Sequence, residues 1–152
     1  MILLEFDRDS MREPSESQIA KLNSVADWQL RYAYFETKVT LTVDGFDKEA
    51  FRVPLLDFIY CLLLSARAIR EGGEGRVSFT ESDMLIEFFP HESELKVLRS
   101  WDPVPGSCGT DEFIATVSRF TADGLKYITS KYPTFRDNPT FQKLTQFRSE
   151  LT

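Results

Sequence analysis

The chain has 152 residues, 42% of them hydrophobic and 28% charged, with a net charge of −6. That length and balance fit one folded domain over residues 1–152 and exclude intrinsic disorder. So acidic a chain is poorly matched to phosphate backbones, so nucleic acid is not an expected partner.

Ile2–Asp7 reads as a short strand, and Ser10–Ser17, with Pro14, as a connection. Ile19, Leu22 and Val25 share one face of a short helix between Ser17 and Asp27. From Trp28 to Val43 the pattern is mostly extended, with Val39, Leu41 and Val43 alternating with Lys38, Thr40 and Thr42. Asp44-Gly45 supplies a turn, and Glu49–Val53 returns as the partner strand. Pro54 suits the first position of a helix, where its missing N–H costs nothing. Leu55 to Glu71 is that helix, with Leu55, Leu56, Phe58, Ile59, Leu62, Leu63, Ala66 and Ile69 at helical spacing. Its wide apolar arc places it across the sheet, and Gly72-Gly73 ends it.

Arg76–Thr80, Met84–Phe89 and Glu94–Trp101 read as an antiparallel meander. Asp102–Gly109 holds two Pro and two Gly and reads as a loop. Thr110 or Asp111 is the expected cap of a long helix reaching about Lys131, and Asn138-Pro139 opens a last helix. The expected class is α+β: one antiparallel sheet of about five to six strands, a central helix at about 55–71, and two C-terminal helices packed mainly on one face. The longest apolar stretch, Leu55–Leu64, is too short to span a bilayer, and no leader pattern opens the chain. No membrane partner and a cytoplasmic location are therefore expected, which suits a chain whose only cysteines are Cys61 and Cys108.

Few chemistries have their residues here. The single histidine, His91, falls in an expected turn with no second histidine to share a metal. Gly72-Gly73-Glu74-Gly75 follows a helix and precedes a strand, the reverse of a phosphate cradle. Asp44 with Asp47, and Glu81 with Asp83, are paired carboxylates at hairpin tips, where solubilising an edge is the ordinary role. Asp57 stands inside the most apolar helix. It either answers the helix dipole as a first-turn residue or pairs with Arg31, Arg52 or Arg67. Trp28, Trp101, Tyr32 and Tyr34 read as core first and as an aromatic contact surface second. No catalytic residue, metal site or cofactor is assigned.

Charge is distributed unevenly. Residues 71–94 hold Glu71, Glu74, Glu81, Asp83, Glu87, Glu92 and Glu94 against Arg76 alone, so this stretch carries a net charge equal to that of the whole chain. The expected partner is a protein with a basic surface, and the candidate contact residues are Glu74, Glu81, Asp83, Glu87, Glu92 and Glu94.

From Val39 to Trp101 the chain runs through the hairpin VTLTVDGFDKEAFRVP, the helix PLLDFIYCLLLSARAI and the strands RVSFT, MLIEFF and ELKVLRSW. This stretch resembles small bacterial immunity proteins of toxin–immunity pairs, and other bacterial α+β domains of similar size. The resemblance implies a non-enzymatic acidic module that neutralises a cognate toxin, often a basic nuclease, by covering its active site. It carries over no functional residue. The alternative is a small-molecule binder or enzyme with a pocket between the sheet and helix 55–71, where Asp57 or His91 would orient a ligand. A wide acidic face separates the first reading from a cleft of convergent polar groups, which marks the second.

Overall fold

The computed structural model describes residues 1–79 and 82–151. Among them the chain forms two antiparallel sheets in place of the expected single one. The first is β1 (Ile2–Phe6), β2 (Glu36–Val43) and β3 (Phe46–Pro54) in that order. The second is β4 (Gly75–Ser78), β5 (Leu85–His91), β6 (Glu94–Arg99) and β7 (Asp102–Gly109), again in sequence order. Their inner faces share one hydrophobic cluster with α3 (Leu55–Arg70) and α4 (Thr110–Lys131).

The strand β7 occupies the segment expected to be a loop. Pro103 and Pro105 suggested a loop, yet prolines are tolerated on an edge strand and at an irregularity. Within its sheet β7 pairs with β6, and its register slips between Val97 and Arg99, opposite those prolines. Gly106 is where this strand meets the other sheet: a Cβ there would lie 2.4 Å from Val43 Cγ2 and 2.7 Å from Phe46. Asp44 and Ser107 exchange backbone hydrogen bonds of 3.2 and 2.8 Å and join the β2–β3 hairpin tip to β7. Gly45 makes that tip possible with φ +107°.

Helix α3 buries Ile59 and Leu63 and packs against β4, β3 and α4, as its apolar arc requires. Pro54 is its N-cap, one residue earlier than expected, and Gly72 at φ +89° follows its end. Ser65 closes the outer edge of β4: its hydroxyl accepts from Arg76 N–H (2.9 Å) and donates to Arg76 C=O (3.0 Å). A helix thus covers a sheet edge that would otherwise be open.

The segment expected to be extended from Trp28 begins as a helix. After α1 (Glu16–Ala20), with its Ser15–Gln18 capping box, α2 spans Asp27–Ala33. The extended pattern holds only from Glu36 onward; before it, Asp27 and Arg31 pair across one turn at 2.9 Å and Leu30 is fully buried. Trp28 and Tyr32 are exposed rather than core, while Tyr34 is buried. Gly109, not Thr110 or Asp111, is the N-cap of α4. Asn138 caps α5 (Pro139–Ser149), accepting from Thr140 N–H at 2.7 Å. Among the described residues no helix is long and apolar enough to cross a membrane.

Candidate functional site

Register places the acidic candidates at two ends of the four-stranded sheet. Glu92 and Glu94 lie at the β5–β6 turn, where His91 pairs with Glu94. Gly75 pairs with Phe88, so Glu74 lies at that same end. Asp83 belongs to the β4–β5 connection at the opposite end, and Glu81 lies outside the described residues. Glu87 is mid-strand and half-buried, opposite Arg76. The five described candidates therefore do not form one patch. His91 ends β5 and is exposed.

The β5–β6 end is held in place. Glu92 takes φ +58°, and Thr110 N–H donates to Ser93 C=O at 2.9 Å, bracing the turn against the start of α4. The first turn of α4 brings Asp111 and Glu112 to this end, where the helix dipole favours them. No local signal in the sequence brings these two to the turn, because the pairing of β7 with β6 decides where α4 begins. Glu74, Glu92, Glu94, Asp111 and Glu112 are all exposed. Among the described residues Glu74, Asp83, Glu87, Glu92 and Glu94 enter no ion pair. Elsewhere Glu13, Asp27, Glu36, Glu49 and Asp57 are each tied to a cation.

A second arrangement surrounds Asp57. Its Oδ1 accepts from Arg31 Nη1 at 2.6 Å, with side chains only 9% and 13% exposed. Of the three arginines offered by the sequence, Arg31 is the partner; Arg52 binds Glu36, and Arg67 stands over Phe147. Arg31 also stacks over Tyr60 at 4.3 Å and binds Asp27, which accepts from Thr140 (2.6 Å) and Lys143 (3.0 Å). Burial raises the Asp57 pKa above its ordinary value, with Arg31 pulling against it. Burial acts the same way on Asp27, but hydrogen bonds from Thr140, Lys143 and Arg31 outweigh it and bring that carboxyl down to about 2.

The Asp27 pKa fixes a sign for acid stability. A carboxylate depressed by folding contributes stability above its unfolded pKa of roughly 3.9, lost as pH falls toward 2. Asp27→Asn is expected to be less stable at neutral pH and to lose less further stability between pH 4 and about 2. Urea melts across that range check it; parallel acid limbs for the two proteins would contradict it.

A cleft of about 380 Å³ opens beside Asp57. Its walls are β3 from Ala50 to Pro54 and, across from it, Ser78, Phe79, Ser82 and Met84; Phe58 and Asp57 of α3 close one side. The carboxylates here are neutralised, Asp57 by Arg31 and Glu36 by Arg52. Burial pushes the thiols of Cys61 and Cys108 up to about 11 and about 12, which leaves neither as a ready nucleophile. Among the described residues no group of three or more His, Cys, Asp or Glu side chains could hold a metal ion.

The two sheets are clamped by a charge pair that the sequence reading did not single out. Leu95, Val97 and Arg99 alternate onto the inner face of β6, and all three are buried. Arg99 Nη1 bonds Glu49, which faces inward on β3 opposite Leu41. Trp101 Nε1 donates to the same carboxylate at 3.1 Å, Arg99 Nη2 donates to Val104 C=O at 3.2 Å, and the guanidinium lies 3.7 Å from the Phe46 ring centre. The alternation from Leu95 was the signal that could have found Arg99. Compared with protein-family models, curated proteins and solved structures, the chain matches none.

Proposed function

We propose that this chain is a non-catalytic protein-binding module that captures a basic partner, and that the partner is the toxin of a toxin–immunity pair. One observation supports the reading above the rest: Glu74, Glu92 and Glu94 stand exposed, with no ion-pair partner among the described residues, at one braced end of the four-stranded sheet. Carboxylates used only for stability gain by meeting a cation of their own chain, as Asp27 and Asp57 do. Free carboxylates gathered on a rigid edge project a field that steers a basic protein toward them. Asp111 extends the same field, while Glu112 pairs with the N-terminal ammonium at 3.2 Å.

The test is genetic and biochemical. The C-terminal domain encoded by the neighbouring upstream gene is produced in a host with and without this chain. Growth arrest relieved by the chain, together with a stable complex of the two purified proteins, is the expected result. Arrest that persists with the chain fully expressed would contradict the reading.

A second reading is favoured by the cleft, which lies between β3 and the start of α3. Its apolar walls suit a small ligand. Among the described residues its carboxylates are already paired, so binding is the activity it would support.

A further inference from the structure

Five consecutive residues of β3, Ala50 to Pro54, line the cleft. Side chains of successive strand residues point to opposite faces, so five in a row share one thing: the strand's edge. The hydrogen-bond pattern identifies which groups face out. Leu55 N–H donates to Phe35 C=O at 3.3 Å, so odd-numbered residues of β2 bond odd-numbered residues of β3. Even-numbered residues of β2 turn the other way: Glu36 C=O accepts from Arg12 N–H (2.8 Å) and Lys38 C=O from Asp7 N–H (2.9 Å). Lys38 lies opposite Arg52 and Thr40 opposite Ala50. In an antiparallel ladder such pairs direct their backbone groups outward. The N–H and C=O of Ala50 and of Arg52 therefore face the cleft, and among the described residues nothing bonds them.

On the four-stranded sheet, Ser65 of α3 covers the edge of β4, and Asp44 pairs with Ser107 of β7. We propose that the free edge of β3, at Ala50 and Arg52, is a binding site for an extended segment of a partner polypeptide, which adds to the three-stranded sheet as its fourth strand. An extended backbone is the ligand that repeats a donor and an acceptor every second residue, as this edge does. Its alternate side chains would enter the apolar part of the cleft, against Phe51, Val53, Phe79 and Met84. Pairing with a second copy of the same edge is disfavoured, because Lys48 and Arg52 would then face their own kind across the ladder.

The proposal does not depend on the acidic end of the other sheet, and the experiment separates the two. Random twelve-residue peptides displayed on phage are selected against the full chain, and the enriched peptides are synthesised. Three proteins are compared: the natural chain, Ala50→Pro, and Glu92→Lys/Glu94→Lys. Proline at residue 50 removes an outward N–H and leaves the bonds to β2 in place. The enriched peptides should carry apolar residues at alternate positions. They should bind Ala50→Pro about tenfold or more weakly, bind the charge-reversed protein equally, and slow amide exchange at Ala50 and Arg52. Should Ala50→Pro fail to fold, N-methylation of the peptide at alternate amides gives the same test: one parity abolishes binding and the other leaves it. The proposal is overturned if no peptide is enriched, if exchange slows only at the β5–β6 end, if both parities of N-methylation are tolerated, or if the natural chain dimerises through β3.

Discussion

Arg99→Ala is expected to destabilise the protein by about 3 kcal/mol, seen as a lower urea midpoint with an unchanged slope. The substitution strands Glu49 on the inner face of β3, removes the donor to Val104 C=O, and leaves Phe46 facing a void. Breaking a buried pair from one side costs about 3–5 kcal/mol. The lower end applies because Glu49 is 25% exposed and keeps both water and Trp101. Replacing both partners, Arg99→Met with Glu49→Leu, should recover most of the loss, because no charge is then left alone. A single-variant cost under about 1 kcal/mol would show that packing at Gly106 and the Asp44–Ser107 bridge hold the sheets without the clamp.

Arg31→Ala is expected to cost about 3–5 kcal/mol at neutral pH, because Asp57 is then a buried carboxylate with no cation. Tyr60 loses its stacked guanidinium, and Asp27 keeps only Lys143 and Thr140. The pH dependence distinguishes this from simple loss of packing. Without Arg31 the Asp57 pKa rises further above its unfolded value. A group raised in this way contributes stability below its unfolded pKa and loses it as pH rises through the folded one. The deficit of Arg31→Ala should therefore shrink in acid, and Arg31→Met with Asp57→Leu should remove that pH dependence. A deficit that stays constant from neutral to acid would contradict the account of Asp57.

Periodicity carried the sequence reading where one element met one environment. The apolar arc of Leu55–Arg70 and the alternation of Val39–Val43 gave α3 and β2 because each buries a single face. It failed where tertiary pairing overrides composition. Pro103 and Pro105 lie on an edge strand, where missing N–H groups are tolerated, so a segment with loop composition became β7. Asp27–Ala33 is helical through an ion pair and one fully buried leucine, where the extended pattern does not yet apply. The two sheets meet at Gly106 and at the Asp44–Ser107 bridge, a tertiary contact that no local pattern encodes. The acidic stretch was plain in the sequence. That its members separate to two ends of a sheet, and that Asp111 and Glu112 join one of them, required the register of β4 to β7.

We propose that the end of the sheet bearing Glu74, Glu92 and Glu94 draws in a basic protein. The most direct test is the association rate with the upstream-encoded domain, followed by stopped flow from low to physiological ionic strength. At the latter, charges interact over only about 8 Å. The account predicts a rate that falls with salt for the natural chain, and a rate about tenfold lower with a flatter salt dependence for Glu74→Lys/Glu92→Lys/Glu94→Lys. Asp83→Lys, at the opposite end, should have little effect. Equal rates and equal salt dependence for the natural and triply reversed proteins would contradict the claim and reduce the acidic end to a solubilising surface.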